Sequence, residues 1–486
     1  MTTTLAPTSA ISALCAEYQA KRHRLETLHA SMLASPDILG YLLEGHRYAK
    51  PVSLKAALAG LNAEYWDKAM RLTDILNVMP QSKRTEWNDL ISEKKTPDFD
   101  EQVVKDTLLG FLSSRAQLFA EKVDGIFQAL SGAHVTNRPE GFGKKMIYAN
   151  MYDTLGIDHQ RVGVITDLRQ CIAKVLGRDA PKYETTERII KLAKSSGEAI
   201  PCDGNALKIR VYQIGTAHIE VHPDVAYRLN EILASLYPMA IPPKYRAKPK
   251  TYKDHPLLTV PIDSAMSEML TDLEYRNETV TLRRSYDRTR ERMKQLNDLL
   301  CSVGFVPDGD GWMLDGSNDP MRVINHMITT GTVPEDRSHQ FYATPEALAR
   351  EAIDHADIQD GMSVLEPSAG LGAIADIVGA GNVQCVEVSA LRAEVLRSKG
   401  HHVDCADFIR WAETAPKFDR IVMNPPFSNG RWQAHIEAAR GLLKPGGKII
   451  AILPSTASNH PGVNVLSRHD GAFDKTGVSV VIVEVE

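Results

Sequence analysis

Apolar residues recur at helical spacing through most of residues 11–130. Ile11, Leu14 and Tyr18 form one such set. Residues three or four positions apart share one face of an α-helix, so this spacing predicts helices that each bury one face. Pro80 and a later Thr-Pro-Asp turn separate these segments. The pattern predicts a helical scaffold for this part of the chain.

Strict alternation of apolar and polar residues replaces helical spacing at 206–212 and 217–221. This period of two predicts two strands, and the short link containing Gly215 predicts a β-hairpin. Further along, residues 262–302 have the composition of one long basic helix, suited either to an exposed connection between domains or to a contact with DNA. Residues 304–316 are rich in turn formers and predict a small hairpin.

After Pro334, short apolar runs alternate with helical segments, which is typical of β-α-β units in a parallel sheet. The strand candidates are residues 363–365, 383–388, 420–423, 448–453 and 477–485. The predicted fold class is α/β at the C-terminus, preceded by a mainly helical α+β region. We expect three parts, which are residues 1–260, 261–334 and 335–486.

Composition and charge narrow the class of protein. With 486 residues, of which 43% are hydrophobic and 24% charged, the chain should divide into two or three domains with large cores. A net charge of -5 argues against a globally basic DNA-coating protein. The same net charge is compatible with a local basic stripe on an otherwise acidic surface. The six cysteines have no Cys-x-x-Cys pair, which predicts reduced thiols and no structural metal. The sequence shows no signal peptide and no run near the about 18 apolar residues of a membrane span, so we expect a cytoplasmic protein.

Three acidic or glycine-rich elements follow the strand candidates in order. The first is the turn Glu366-Pro367-Ser368-Ala369-Gly370-Leu371-Gly372, which runs into a helix. Glycines at such a turn permit the close approach of a nucleoside cofactor, although dinucleotide enzymes and ordinary turns share this feature. Glu387-Val388 ends the second strand, where the acid could accept both ribose hydroxyls, and Asp407-Phe408 could bracket an adenine ring. In this order the three elements predict a nucleoside-cofactor site.

A rigid loop, Asn424-Pro425-Pro426-Phe427, follows the strand candidate at 420–423. Proline fixes the backbone angle φ, and open α/β sheets bind ligands at the carboxyl ends of their strands. A simple turn after a buried strand is the alternative, but an exposed asparagine and an exposed aromatic around two prolines suit it poorly. We predict that the chemistry takes place at this loop.

Together these motifs resemble the class I S-adenosylmethionine-dependent methyltransferases, and among them the N6-adenine DNA methyltransferases. The resemblance covers residues 335–486 and implies a Rossmann-like domain that uses S-adenosylmethionine. It implies that Glu366 to Gly372 bind the methionine end of the cofactor, that Glu387 holds the ribose, and that Asp407 and Phe408 hold the adenine.

Upstream, Gln340-Phe341-Tyr342-Ala343-Thr344-Pro345 resembles the segment that precedes the glycine loop in one subgroup of that family. The resemblance implies that Phe341, Thr344 and Pro345 flank the methionine carboxylate. This segment favours DNA as the substrate.

The same resemblance implies catalysis by the Asn-Pro-Pro-Phe loop. The exocyclic amine of adenine is a poor nucleophile because its lone pair is delocalised into the ring. The side-chain oxygen of Asn424 and the carbonyl of Pro425 can accept both amino hydrogens and favour a pyramidal nitrogen, a form of preorganised electrostatic stabilisation. Phe427 would stack on a base flipped out of its helix.

Several segments are candidates for nucleic-acid contact. Basic and aromatic residues alternate in one of them, which suits either phosphate contacts with base stacking or a solvated linker; its residues are Lys244, Tyr245, Arg246, Lys248 and Lys250. Arg431 and Trp432 could touch the substrate, or Trp432 could begin a packed helix. The glycine-rich turn at 134–146 could bind a phosphate or open a helix.

The N-terminal part carries a second resemblance. The turn at 136–146, the predicted hairpin and the following His222-Pro223 are similar to an uncharacterised domain attached to methyltransferases of phages and prophages. The resemblance covers roughly residues 20–260 and implies association with a methyltransferase and a bacterial or phage-infected host cell, with no defined activity of its own. Residues 1–260 are our candidate for DNA or partner recognition. Because no separate target-recognition domain is expected after the catalytic core, we predict short or relaxed sequence specificity.

Two kinds of alternative stay open. Related Asn-Pro-Pro-aromatic loops serve guanine N2 in RNA and glutamine amides in proteins, so the loop indicates a conjugated NH2 group better than it indicates a molecule. The other alternative is a DNA-binding or protein-binding module in which the methyltransferase-like domain only senses the cofactor.

Overall fold

The computed structural model describes residues 8–35, 53–73, 75–132, 137, 140–153, 156–237, 241–248, 258–283, 289–336, 340–473 and 477–486. The chain divides into two compact units. One unit comprises Met1–Thr186, Ala193–Ala199 and Ala206–Lys250, and the other comprises Glu187–Leu192, Ile200–Asn205 and Thr251–Glu486.

Helices predominate in the first half of the chain, as the spacing of apolar residues predicts. Their bounds are Thr8–Ala34, Leu54–Arg71, Ile75–Val78, Gln81–Ser92, Glu101–Ser113, Arg115–Ser131, His159–Leu176, Tyr183–Ser196 and Pro223–Leu236. Polar side chains begin several of them: Asp100 accepts hydrogen bonds from the backbone N–H groups of Gln102 and Val103, and Asp158 caps the helix at His159 in the same way.

An aromatic cluster forms the core of the N-terminal helices. The rings of Tyr18 and Tyr65 pack with their centroids 5.4 Å apart, and Phe99 lies 5.0 Å from Tyr18 and 5.6 Å from Trp66. Edge-to-face packing of this kind adds to the hydrophobic gain of burying the rings. Tyr18, Tyr65 and Trp66 come from helices, whereas Phe99 lies in the loop before the helix Glu101–Ser113.

The predicted hairpin is present as the antiparallel strands Leu207–Val211 and Ala217–Val221. Every second residue of each strand is buried, which is what the alternation of apolar and polar residues predicts. The strand Lys145–Tyr148 pairs with Ala217–Val221 on its other side. The glycine-rich turn before it therefore leads into a strand, and the alternative that it opens a helix is wrong.

The region 262–302 is not one long helix, and that prediction is wrong. Helices Ser264–Thr271 and Arg290–Ser302 flank an antiparallel hairpin of Leu273–Arg276 and Thr279–Leu282. The hairpin turns at Asn277 and Glu278, which both have positive φ. Charged residues that favour helices surround this turn, so composition alone conceals it.

The second unit contains further short elements. The predicted hairpin at 304–316 is confirmed as Val306–Asp308 paired with Gly311–Met313. Its Trp312 pairs with Val280 of the preceding hairpin. The remaining short strands of this unit are Ile200–Cys202, Thr259–Pro261 and Thr332–Pro334, and those of the first unit are Tyr152–Asp153 and Gly156–Ile157. The helices from here to the C-terminus are Pro320–Thr330, Glu346–Ala356, Ala375–Val378, Ala390–Ser398, Phe408–Ala412 and Arg431–Gly441.

A seven-stranded sheet forms most of the remaining structure of the second unit. Its strands in chain order are β1 Val364–Pro367, β2 Val383–Glu387, β3 His402–Cys405, β4 Phe418–Met423, β5 Leu443–Pro454, β6 Val463–His469 and β7 Val480–Val485. The spatial order is β3-β2-β1-β4-β5-β7-β6, with β7 antiparallel to both of its neighbours. This is a doubly wound α/β sheet of the predicted class.

The edge strands β3 and β6 are not among the predicted strands. Neither strand contains a fully buried residue, whereas the whole of β1 is buried. An edge strand with exposed faces lacks the continuous apolar run that identifies a central strand. The strand order reverses between β1 and β4, and ligands bind at the carboxyl side of such a reversal.

Candidate active site

A cavity of 510 Å³ opens at the carboxyl ends of β1, β2 and β4. Most of the residues predicted for cofactor binding and catalysis line it. They are Phe341, Thr344, Glu366, Ser368, Ala369, Gly370, Glu387, Val388, Asp407, Phe408, Asn424, Pro425, Pro426 and Phe427. The volume lies within the range of typical small-ligand sites, so residues from five separate sequence motifs converge on one ligand-sized space.

The glycine loop after β1 is shaped by Gly370 and Glu387. Gly370 has a φ of +57°, and a Cβ atom placed on it would lie 2.8 Å from Cε2 of Phe341. Its backbone N–H donates to the Glu387 carboxylate at 2.8 Å, and the Ser389 N–H donates to the other oxygen at 2.8 Å. The acid at the end of β2 therefore also holds the glycine loop in place.

Glu366 is a buried acid at the base of the cavity, with 3% of its surface exposed. Its pKa is raised well above the ordinary value, chiefly by burial, while a hydrogen bond from the Ala375 backbone lowers it. Within the described part of the chain, its Oε2 atom has no hydrogen-bond partner. A buried acceptor of this kind is costly unless a ligand satisfies it, which suits a binding site for a donor group.

The Asn-Pro-Pro-Phe loop is tied to the upstream segment by two hydrogen bonds. The Asn424 side-chain amide donates to the Thr344 hydroxyl at 3.0 Å. The Ser428 N–H donates to the Gln340 side-chain oxygen at 3.2 Å. Contrary to the expectation of an exposed asparagine and aromatic, Asn424 and Phe427 are both half-buried, and Phe427 packs against a core cluster that includes Phe473. The loop is therefore fixed by packing as well as by its prolines.

The adenine side of the predicted cofactor site contains Asp407, Phe408 and His435. The Asp407 carboxylate accepts a hydrogen bond from the Arg410 N–H and so begins the helix Phe408–Ala412. The Phe408 ring is buried, and its centroid lies 5.3 Å from that of His435. Burial lowers the pKa of His435 to about 4, so its imidazole is neutral at neutral pH.

His435 also contacts the glycine loop. Its Nδ1 lies 3.4 Å from the Ser368 hydroxyl. Ser368 adopts a φ of +72°, a conformation that residues other than glycine rarely take. His435 and Arg392 both line the cavity, but the sequence does not predict either of them. Neither carries a local motif, and a single sequence offers no signal that would distinguish them from other helical residues.

Residues 58–239 match the family model "Domain of unknown function (DUF4942)". A search of curated proteins finds no match to the sequence. The family match covers the part of the chain for which the sequence suggests a phage-type domain, and it carries no assigned activity.

Solved structures similar to the chain include several methyltransferases. A dimethyladenosine transferase from Plasmodium falciparum is 18% identical with a TM-score of 0.25, and the match covers 30% of this chain and 62% of that one. A ribosomal protein L11 methylase from Lactobacillus delbrueckii subsp. bulgaricus is 15% identical with a TM-score of 0.23, covering 28% and 76%. Coclaurine N-methyltransferase bound to N-methylheliamine and SAH is 19% identical with a TM-score of 0.22, covering 25% and 50%.

Four residues predicted for the site do not line the cavity. Pro345 begins the helix Glu346–Ala356, and Pro367 is the buried last residue of β1. Gly372 lies further along the glycine loop, where a Cβ atom would meet Leu396 at 2.9 Å.

Trp432 is buried in the helix Arg431–Gly441, as the alternative of a packed helix expects, whereas its neighbour Arg431 does line the cavity.

The basic-aromatic segment predicted for nucleic-acid contact belongs to the other unit. Its Tyr245 lies in a short 3-10 helix, its carbonyl accepts a hydrogen bond from Asn230, and the Lys244 ammonium lies 5.0 Å from its ring centroid. Arg246 and Lys248 follow it, and Lys250 lies outside the described residues. The role of this segment in binding nucleic acid stays a prediction.

The glycine-rich turn does not present its backbone to a phosphate at Phe142. The Phe142 N–H donates to the Asn230 side-chain oxygen at 2.7 Å, and the Asn230 amide donates back to the Phe142 carbonyl at 3.1 Å. A Cβ atom on Gly141 would lie 2.8 Å from that same oxygen. Glycine is therefore required at position 141 for packing against Asn230.

The described residues contain no helix long and apolar enough to span a membrane. They also contain no group of three or more His, Cys, Asp or Glu side chains arranged to hold a metal ion.

Proposed function

We propose that this chain transfers a methyl group from S-adenosylmethionine to the N6 amino group of adenine in DNA. One observation carries the proposal: the hydrogen bond between Thr344 and Asn424 brings the Asn-Pro-Pro-Phe loop into the cavity that the glycine loop and Glu387 also line. A candidate acceptor site and a candidate cofactor site therefore share one space.

The cavity residues fit S-adenosylmethionine. Glu387 would accept hydrogen bonds from the ribose hydroxyls, and the apolar Phe408 would pack on the adenine ring. The orphan oxygen of Glu366 is a buried acceptor suited to the ammonium group of the methionine end. Close approach at the loop requires Gly370, because a Cβ there would strike Phe341. When bound, the cofactor supplies an electrophilic methyl group on a sulfonium centre.

Asn424 and Pro425 activate the neutral amine of the base by accepting hydrogen bonds from it. Asn424 orients its amide by donating to Thr344, and its side-chain oxygen then accepts one amino hydrogen of the base. The carbonyl of Pro425 accepts the second, and proline holds that carbonyl in a fixed direction. Both contacts favour a pyramidal nitrogen with an available lone pair. Phe427, which is held from behind by its core contacts, provides a flat apolar face for a base flipped out of the duplex.

DNA is the proposed substrate because Phe427 offers a stacking surface and Arg431 adds a positive charge at the same cavity. The upstream Gln340–Thr344 residues that line the cavity are those that favour the DNA subgroup in sequence. We propose short or relaxed sequence specificity and a role in a bacterial or phage-infected cell, with residues 1–260 contributing DNA or partner recognition.

The test is a methylation assay with methyl-labelled cofactor. Purified full-length protein is incubated separately with unmethylated DNA, RNA and protein, and modified nucleosides are identified by mass spectrometry. We expect label in DNA as N6-methyl-2′-deoxyadenosine. Asn424→Ala should lower the methylation rate by about 100-fold or more. Label in guanine N2 of RNA or in glutamine side chains would instead support the two related acceptors.

The control is Asn464→Ala, which removes an exposed asparagine from β6 and should label DNA as the parent does. Binding of cofactor without labelling of any substrate would favour a cofactor-sensing module. An Asn424→Ala protein as active as the parent would contradict the proposed acceptor site.

A further inference from the structure

Arg392 is a buried cation beside the candidate cofactor site. It lies in the helix Ala390–Ser398, directly after the Glu387 that ends β2, and it lines the cavity. Only 5% of its side chain is exposed. Burying a guanidinium is costly unless other groups compensate for the lost water, so its contacts indicate what it does.

Its contacts hold the upstream segment against the glycine loop. The guanidinium forms an ion pair with Asp336 at 2.9 Å and lies 3.8 Å from the centroid of the Phe341 ring. The Phe341 N–H donates to the Asp336 carbonyl at 3.1 Å. A Cβ atom on Gly370 would come within 2.8 Å of the same Phe341 ring. Phe341 thus contacts both the Arg392 cation and the turn predicted to bind the cofactor.

Arg392 also supplies positive charge to Glu387. Burial raises the pKa of Glu387, and the charge of Arg392 acts against that rise together with hydrogen bonds from the Ser389 and Gly370 backbone. Three acidic groups also interact with Glu387: Glu366, Cys385 and Cys405. Ionisation of any of them would add negative charge, so Arg392 provides the opposing cation.

The geometry points to Arg392 as a positioning residue for the cofactor, which holds Phe341 against the glycine loop and places a positive charge beside the Glu387 carboxylate. The inference rests on the proposed function, because it assumes that Glu387 accepts the ribose hydroxyls. Arg392 itself need not touch the acceptor base.

Two substitutions separate the effect of the Arg392 charge on Glu387 from the effect of the Arg392 contact with the Phe341 ring. Arg392→Met removes the charge and the flat guanidinium but fills similar volume. Arg392→Lys keeps the charge and loses the planar contact with Phe341. The matched control is Arg397→Met, which removes another ion-paired arginine from the same helix, one that does not line the cavity.

Binding of S-adenosylhomocysteine to the full chain is measured by calorimetry from about pH 6 to about pH 9. We expect Arg392→Met to bind about tenfold more weakly near neutral pH, the order expected for loss of a desolvated cation–π contact, and to regain affinity as pH rises. The affinity of Arg392→Met should recover at higher pH because Glu387, without the nearby cation, keeps its proton to a higher pH and accepts hydrogen bonds fully only after losing it. Arg392→Lys should bind more weakly at every pH, with the parent's pH profile.

The outcomes are distinguishable. If the parent binds and Arg392→Met matches Arg397→Met in both affinity and pH profile, the positioning role is overturned and the proposed function stands. If Arg392→Met binds weakly with an unchanged pH profile, the charge on Glu387 plays no part and the inference as stated fails. If the parent itself binds no S-adenosylhomocysteine, the proposed function fails, and this inference fails with it.

Discussion

The Asn424 side-chain amide donates a hydrogen bond of 3.0 Å to the Thr344 hydroxyl across 80 residues of sequence. This bond joins the loop after β4 to the segment before the helix Glu346–Ala356. An amide can rotate so that either its oxygen or its nitrogen points into the cavity. With its nitrogen engaged by Thr344, Asn424 is oriented as an acceptor, which is the role that methylation of an amine requires.

Thr344→Val should therefore lower turnover by a larger factor than it lowers cofactor affinity. Valine has the shape of threonine but offers no acceptor for the Asn424 amide, so the loss of one hydrogen bond should reduce kcat by about tenfold. Steady-state kinetics with DNA, together with calorimetric titration of S-adenosylhomocysteine, measure the two quantities. Thr344→Ser keeps the hydroxyl and serves as the control. Equal kcat values for the valine and serine variants would show that the bond has no catalytic role.

Gly370→Ala should abolish cofactor binding. Alanine at a φ of +57° costs about 1 to 2 kcal/mol, and its Cβ would lie 2.8 Å from the Phe341 ring. Gly446→Ala is the matched control, since Gly446 has a φ of +77° and open space around its Cβ position. Both variants should lose stability in thermal unfolding, but only Gly370→Ala should fail to bind S-adenosylhomocysteine. Normal binding by Gly370→Ala would place the cofactor elsewhere.

His435 should make the protein less stable at acidic pH. Its folded pKa of about 4 lies below the ordinary value of 6.5, because burial disfavours the charged ring. Between these values the unfolded chain binds more protons than the folded chain, so stability is lost as pH falls from about 6.5 to about 4, by at most about 3 kcal/mol. Urea unfolding at pH 7 and about pH 4.5 measures this loss.

His435→Gln should lose less stability than the parent between the two pH values, since glutamine does not titrate. His23→Gln changes an exposed histidine and provides the comparison. A parent and a His435→Gln variant with the same pH dependence would mean that the ring is accessible to solvent.

Asp167→Asn should destabilise the N-terminal unit by about 3 kcal/mol. Asp167 forms ion pairs with Lys122 at 3.1 Å and with Arg84 at 2.8 Å, and the Lys122 side chain is 0% exposed. Without the carboxylate, that buried ammonium loses its counter-charge. The change is measured by urea unfolding followed by tryptophan fluorescence.

Glu121→Gln is the control for Asp167→Asn. It removes a half-exposed partner of Lys83, whose ion pair of 2.8 Å should contribute less than about 1 kcal/mol. Equal losses in the two variants would contradict the view that burial sets the cost at Asp167.

Much of the local structure is readable from the sequence because it depends on neighbouring residues. The apolar runs of β5 and β7, the alternation at Leu207–Val211 and the glycine turn after β1 each contain their own signal. The prediction of one helix over 262–302 failed where local composition favours a helix and two residues, Asn277 and Glu278, make a turn instead.

The sequence by itself determined the fold class, the central strands, and the residue types that suit methyl transfer, because periodicity and short motifs are local properties. Only the tertiary structure decided the strand order and the edge strands β3 and β6, whose exposed faces give no apolar pattern. It alone brought Thr344 to Asn424 and Arg392 to Phe341. Contacts between residues far apart in sequence depend on how helices and strands pack, and no spacing within a single segment encodes them.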